Sequence, residues 1–160
     1  MVAGRQHSRA VAVAPGGPGV ARPAAVTLDL ELSQGRHGAS ARIEIHERRR
    51  GRIALLALRG WLDCAAVSHL GRALEDLGQR GVDQVLLDCS RLTHVDYRLV
   101  PALVDRLERF ESHASLVVCG LSHYLRDLFR LAGCEARLSC WPSAAELMPP
   151  ILEPGRECAT

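Results

Sequence analysis

Asp63, Asp88 and Asp96 each stand where an apolar run gives way to a loop or a helix-like pattern. That order places them toward the carboxyl end of a sheet, where α/β folds bind ligands. Three convergent carboxylates could exchange protons with a substrate or hold a cation. The plainer reading, which the spacing favours, makes Asp63 and Asp96 helix caps and Asp88 a loop cap. Cys64, Cys89, Cys119 and Cys140 also lie just past predicted strand ends, with His94 and His123 in the same kind of loop. Thiols and imidazoles sharing one edge would be metal-ligand chemistry. Their spacings contain no C-x-x-C pair, however, and buried cysteine as a small apolar side chain is the better account. No nucleophile-plus-base set accompanies these residues, since the chain lacks a Gly-rich phosphate loop, H-E-x-x-H and G-x-S-x-G. Neither enzyme activity nor a bound metal or cofactor is expected. The run Arg48-Arg49-Arg50-Gly51-Arg52 is a basic turn that could meet anionic lipid, RNA or an acidic partner. More simply, it is a solvated turn that blunts an edge strand.

The elements that position these residues emerge from length and pattern. A chain of 160 residues usually carries one hydrophobic core, and 48% apolar with 24% charged residues is the composition of an ordinary soluble domain. Twenty cations against 18 acids give +2, too balanced for a surface that binds DNA by counterion release. All the cations are arginine, a codon-level skew that says nothing of function. Residues 1–20 hold Arg5, Arg9 and a short apolar run broken by Pro15-Gly16-Gly17-Pro18, too short for a secretory core. No window approaches the ~20 apolar residues of a membrane helix. A cytosolic protein with reduced thiols is the expectation.

Gly, Pro, Ala, Ser and Arg dominate residues 1–41, which read as a mobile tail despite a short periodic stretch at Thr27–Leu32. Arg42–His46 alternates like an edge strand, and Arg52–Leu58 is a continuous apolar run suited to a central one. Asp63 then caps a helix carrying Ala66, Val67, Leu70, Leu74 and Leu77 on one face. Gln84–Asp88 is a second buried strand, followed by a loop at Cys89–Val95. After Asp96 comes a helix bearing Leu99, Val100, Leu103, Val104, Leu107 and Phe110, its start left open by Pro101. Leu116–Gly120 is a third core strand, and Ser122 caps a helix over Tyr124–Ala132 that Gly133 stops. A short strand at Arg137–Cys140 and a short helix at Ser143–Met148 complete the pattern. Two antiparallel strands followed by alternating helices and strands require an α/β fold with right-handed crossovers. It has a mixed, mostly parallel sheet of about five strands and about four helices. The expected division is a tail at 1–41, a domain at 42–148 and a short C-terminal tail at 149–160.

Five segments then carry a family resemblance over roughly residues 43–148. They are Leu58-Arg59-Gly60-Trp61-Leu62-Asp63, Val85-Leu86-Leu87-Asp88-Cys89-Ser90, Val95-Asp96, Leu116-Val117-Val118-Cys119-Gly120-Leu121 and Phe129-Arg130-Leu131-Ala132-Gly133. In that order and spacing they resemble the STAS domain of anti-sigma factor antagonists, stressosome subunits and the cytosolic tails of sulfate-type anion transporters. The resemblance implies a protein-interaction module whose partner is an anti-sigma factor or serine-kinase-like ATPase. In antagonist members the serine after the loop aspartate is phosphorylated, and the phosphate prevents binding. Here that position is Tyr97, with Arg98 and Leu99 in place of the next serine and the glycine. A phenol oxygen lies ~6.5 Å from its Cα, too far out for the in-line position that a serine hydroxyl takes, so the phosphosite does not transfer.

What remains is a helix start with Asp96 at the positive end of the dipole and Arg98 pointing outward. Tyrosine and arginine are residue types enriched at interface centres. Asp63, Asp96, Tyr97 and Arg98 are therefore the candidate partner-binding residues, against the plainer reading that Tyr97 only packs over the neighbouring helix. Trp61 and Trp141, at strand-to-helix junctions, read as core-rim packing. Two other readings stay open at this point: an accessory STAS subunit docking on the ATPase of an ABC-type lipid transporter, and a small-ligand or metal sensor using the Cys/His/Asp edge.

Overall fold

The computed structural model describes residues 26–143, and its first strand begins ahead of the expected domain start. Strand β1 (Val26–Ser33) pairs antiparallel with β2 (Ala39–Arg48), so residues 26–41 belong to the sheet and not to a tail. The cause is legible in hindsight: Leu28, Leu30 and Leu32 share one face, and Leu32 is fully buried. Residues 1–25 and the expected helix at Ser143–Met148 with the tail at 149–160 lie outside the described residues, apart from Ser143 itself.

β2 turns through the arginine run into β3 (Gly51–Leu62), antiparallel, with Ala39 opposite Gly60 and Arg48 opposite Gly51. Then follow α1 (Cys64–Gln79), β4 (Val82–Val95), α2 (Val100–Glu111), β5 (Ser115–Cys119), α3 (His123–Leu131) and β6 (Cys140–Trp141). The sheet is mixed α/β in order β1-β2-β3-β4-β5-β6, with β3 to β6 parallel. Among the described residues there are six strands and three α-helices, against about five and four expected.

Alternation decides which side chains meet the helices. Ala41, Ile43, Ile45, Ala54, Leu56, Leu58, Val85 and Leu87 join Leu70, Leu74, Val104, Leu107, Leu125 and Phe129 in one core. The intervening residues Arg42, Glu44, Leu55, Ala57, Leu86 and Asp88 line a shallow hollow of about 150 Å³ on the opposite face.

Two elements differ from expectation for physical reasons. β4 does not stop at Asp88 but runs on through the expected loop to Val95, because Arg59–Leu62 of β3 keeps pairing with Arg91–Val95. Register shifts after Ala57 and after Gly60 break the period of two, so the buried residues of this stretch, Cys89, Leu92 and Val95, fall three apart. Arg137 is not in a strand. It ends a 3₁₀ turn (Glu135–Arg137), where its guanidinium reaches back to Glu108 at 2.6 and 2.8 Å and to Asp105 at 2.6 Å on α2. The strand shrinks to Cys140–Trp141.

Candidate functional site

At the carboxyl end of the parallel strands α1 and α3 start on capping side chains, Asp63 and Ser122, and Asp96 caps the 3₁₀ turn that leads into α2. Asp63 Oδ1 accepts from the Ala66 N–H at 2.8 Å, and Ser122 Oγ accepts from the Leu125 N–H at 3.2 Å. Asp96 Oδ1 accepts from the Arg98 N–H at 3.0 Å, while its own N–H donates to the Leu62 carbonyl at 3.4 Å. Asp96 opens a 3₁₀ turn (Tyr97–Leu99), and α2 begins only at Val100, with Pro101 in its first turn where a missing N–H costs nothing. The open boundary of the sequence reading closes there.

Asp63 and Asp96 thus serve as caps in the same rim. Asp88 does not join them. It pairs with Ala57 and Cys119 within the sheet, its Oδ1 accepting from the Ser90 N–H at 2.9 Å, because β4 continues seven residues past it. The three carboxylates therefore do not converge. Cys89 and Cys119 are buried, while Cys64 and Cys140 are exposed. Burial pushes the Cys89 thiol far above its ordinary value, with the charges of Cys119, Asp88 and Cys140 adding to it. Burial, then Asp88, pushes Cys119 up to about 11. Both stay protonated at neutral pH and pack as apolar groups. Among the described residues no group of three or more His, Cys, Asp or Glu side chains could hold a metal ion.

Tyr97 is 50% exposed, and its hydroxyl donates to the Leu131 carbonyl at the end of α3, at 3.3 Å. Arg98 is exposed, and its side chain has no partner among the described residues. The residues that sequence reasoning set aside complete the rim. Trp61, 40% exposed and so more than a core-rim residue, stacks on His37 with centroids 4.0 Å apart and planes 12° apart. Trp61 also meets His94, tilted by 50° with centroids 4.6 Å apart, and His94 stacks on Tyr124 at 5.8 Å. The Tyr124 hydroxyl lies 2.6 Å from His94 Nδ1. Four rings thus run from the β1–β2 turn across the ends of β3 and β4 to the start of α3.

Gly60 makes that ladder possible. It adopts φ +89°, and a Cβ there would lie 2.0 Å from the Gly38 carbonyl oxygen. Only glycine lets the β1–β2 turn sit this close to the end of β3 and lay His37 on Trp61. Sequence could have flagged Trp61 and Tyr124 by their positions beside Asp63 and Ser122, but His37 comes from a segment that read as tail.

Against known proteins, the family model described as "Mlab, STAS domain" matches residues 45–139, more than half of the chain. The chain belongs to the STAS domain family. Among solved structures it is similar to the anti-sigma factor antagonist SpoIIAA in its unphosphorylated form, at 19% identity and TM-score 0.52, covering 68% of this chain and 95% of that one. It is also similar to an anti-sigma factor antagonist from Mycobacterium paratuberculosis, at 12% identity and TM-score 0.58, covering 76% and 100%. The protein TM1081 gives 12% identity and TM-score 0.53, covering 64% and 87%. No curated protein matches the chain in sequence. These likenesses establish the STAS fold, and the loop that opens α2 lies inside the matched span. Among the described residues no helix is long and apolar enough to cross a membrane.

Proposed function

We propose that this STAS protein is a non-enzymatic, cytoplasmic interaction module of the anti-sigma factor antagonist type, working in bacterial partner switching through the carboxyl end of its sheet. The observation that carries this reading is the preformed ring ladder His37–Trp61–His94–Tyr124, exposed at every ring but half-buried His94, beside Asp63, Asp96, Tyr97 and Arg98. Tryptophan, tyrosine and arginine are the residues on which interface energy concentrates, and rings already stacked lose little freedom when a partner covers them. The partner is an anti-sigma factor or a serine-kinase-like ATPase.

Control by serine phosphorylation at the α2 start is absent from this reading. The residue after Asp96 is Tyr97, whose hydroxyl is engaged by the Leu131 carbonyl, and the turn from Tyr97 to Leu99 holds no serine. The surface carries instead a fixed cation, Arg98, and binds constitutively.

Affinity capture from the native lysate tests partner and site together, with wild type set against Tyr97→Ala/Arg98→Ala and bound proteins identified by mass spectrometry. An anti-sigma factor or its kinase, bound by wild type and lost from the folded variant, supports the reading. A transporter ATPase lost in the same way assigns the accessory-subunit role instead. Equal capture by both proteins rejects the surface.

A further inference from the structure

The C-terminal halves of α1 and α2, away from the ringed rim, enclose a half-open cleft of about 470 Å³. Its floor is apolar, built from buried Leu74, Val82 and Phe110. Its walls bear three basic side chains, Arg106, Arg109 and His113, against one acid, Glu75. A basic side chain on a helix can be neutralised by an acid three or four residues away. Here the one acid at that spacing from Arg109, Asp105, is taken by Arg137, and no acid stands three or four residues from Arg106. Among the described residues neither Arg106 nor Arg109 has a partner for its guanidinium. Arg106 lies half-buried across Gly71, where an added Cβ would sit 2.3 Å from its Nη1, so the glycine gives the guanidinium its path into the cleft.

Gly78 adds an independent argument. Glycine inside a helix is destabilising relative to alanine. Neither backbone nor crowding demands it here, because its φ is not positive and a Cβ would meet only Phe110 Cε2 at 3.9 Å. What the missing side chain provides is depth in the cleft.

We propose that this cleft binds a small organic anion, a carboxylate or phosphate carried on an apolar body, with the anionic head held by Arg106 and Arg109 and the body laid on Leu74, Val82 and Phe110. The volume falls within the roughly 300–1,000 Å³ of small-molecule sites, and an apolar floor with a few convergent polar groups is their usual construction. Paired guanidinium groups are the side chains best suited to carboxylate and phosphate oxygens. The site is separate from the partner surface and stands whether or not that surface is correct.

The test is an amide chemical-shift titration of the full chain with decanoate, octyl phosphate and, as the uncharged control, decanol, all below micelle-forming concentrations. Saturable shifts centred on Gly71, Gly78, Phe110 and Ala114 with either anion and not with decanol are expected, and the tighter of the two anions assigns the head group. Arg106→Gln/Arg109→Gln should weaken binding at least about tenfold, the usual worth of a charged hydrogen bond. Gly78→Leu should fill the cleft and abolish the shifts without lowering the melting temperature. The proposal is overturned by the absence of saturable shifts at these amides, by equal binding of decanol, or by an acidic amphipathic peptide shifting them where both anions fail.

Discussion

The two ends of the sheet present opposite kinds of side chain. The chain has six Trp, Tyr and Phe residues, two of each. Both phenylalanines, Phe110 and Phe129, are buried, whereas Trp61, Tyr97, Tyr124 and Trp141 are all exposed at the carboxyl end. The amino end instead carries Arg48, Arg49, Arg50, Arg52 and Arg80, partly paired with Glu47, Asp76 and Gln84. If burial alone placed aromatics, the scarce large rings would fill the core, as the phenylalanines do. Four that stay in water on one rim, three of them fastened in place by stacking or hydrogen bonds, are arranged for contact. Paired charges at the other end serve solubility and edge protection.

The largest effect should come from the core that holds both ends together. Leu56→Ala, at a position with no exposure, is expected to cost about 2–5 kcal/mol in denaturant unfolding and to weaken every function of the molecule alike. Trp61→Ala separates the ends. Partner affinity should fall by about 2 kcal/mol or more, roughly 30-fold, in titration calorimetry with little change in melting temperature, whereas Arg49→Ala/Arg50→Ala should leave affinity unchanged. Asp63→Ala removes a cap from the carboxyl rim and should cost about 1 kcal/mol of stability, measured by denaturant midpoint.

The smallest effect is a pH dependence away from both rims. Arg137 holds the Glu108 carboxyl below its ordinary value of 4.5, chiefly through the side-chain hydrogen bond. A carboxyl depressed in the folded state contributes stability above its unfolded value and loses it as pH falls through the folded one. The stability gap between wild type and Arg137→Gln should therefore be present at neutral pH and close in acid below about 4.5, in thermal melts across pH.

How much of this was legible in the sequence varies with how local the cause is. Asp63, Ser122 and Gly133 declared their helix ends because a cap or a stop is a matter of neighbouring residues. β4 beyond Asp88 was hidden, since register shifts replaced the period of two by spacings that read as loop. β1 was masked by the composition around it, and with it went His37. The segment Asp96–Tyr97–Arg98 was singled out from pattern and resemblance, while the start of α2 stayed open until the 3₁₀ turn Tyr97–Leu99 placed it at Val100. The ladder beside that segment was not found, because it joins four separate segments through Gly60's close approach, a contact no local pattern encodes.

The most direct test of the difference between the two ends is hydrogen–deuterium exchange on the full chain, free and bound to its captured protein partner. New protection is expected at residues 36–38, 61–65, 93–99 and 123–126, with the 48–52 turn and 80–83 unchanged. Protection confined to the arginine turn, with the ringed rim still exchanging freely, would contradict it.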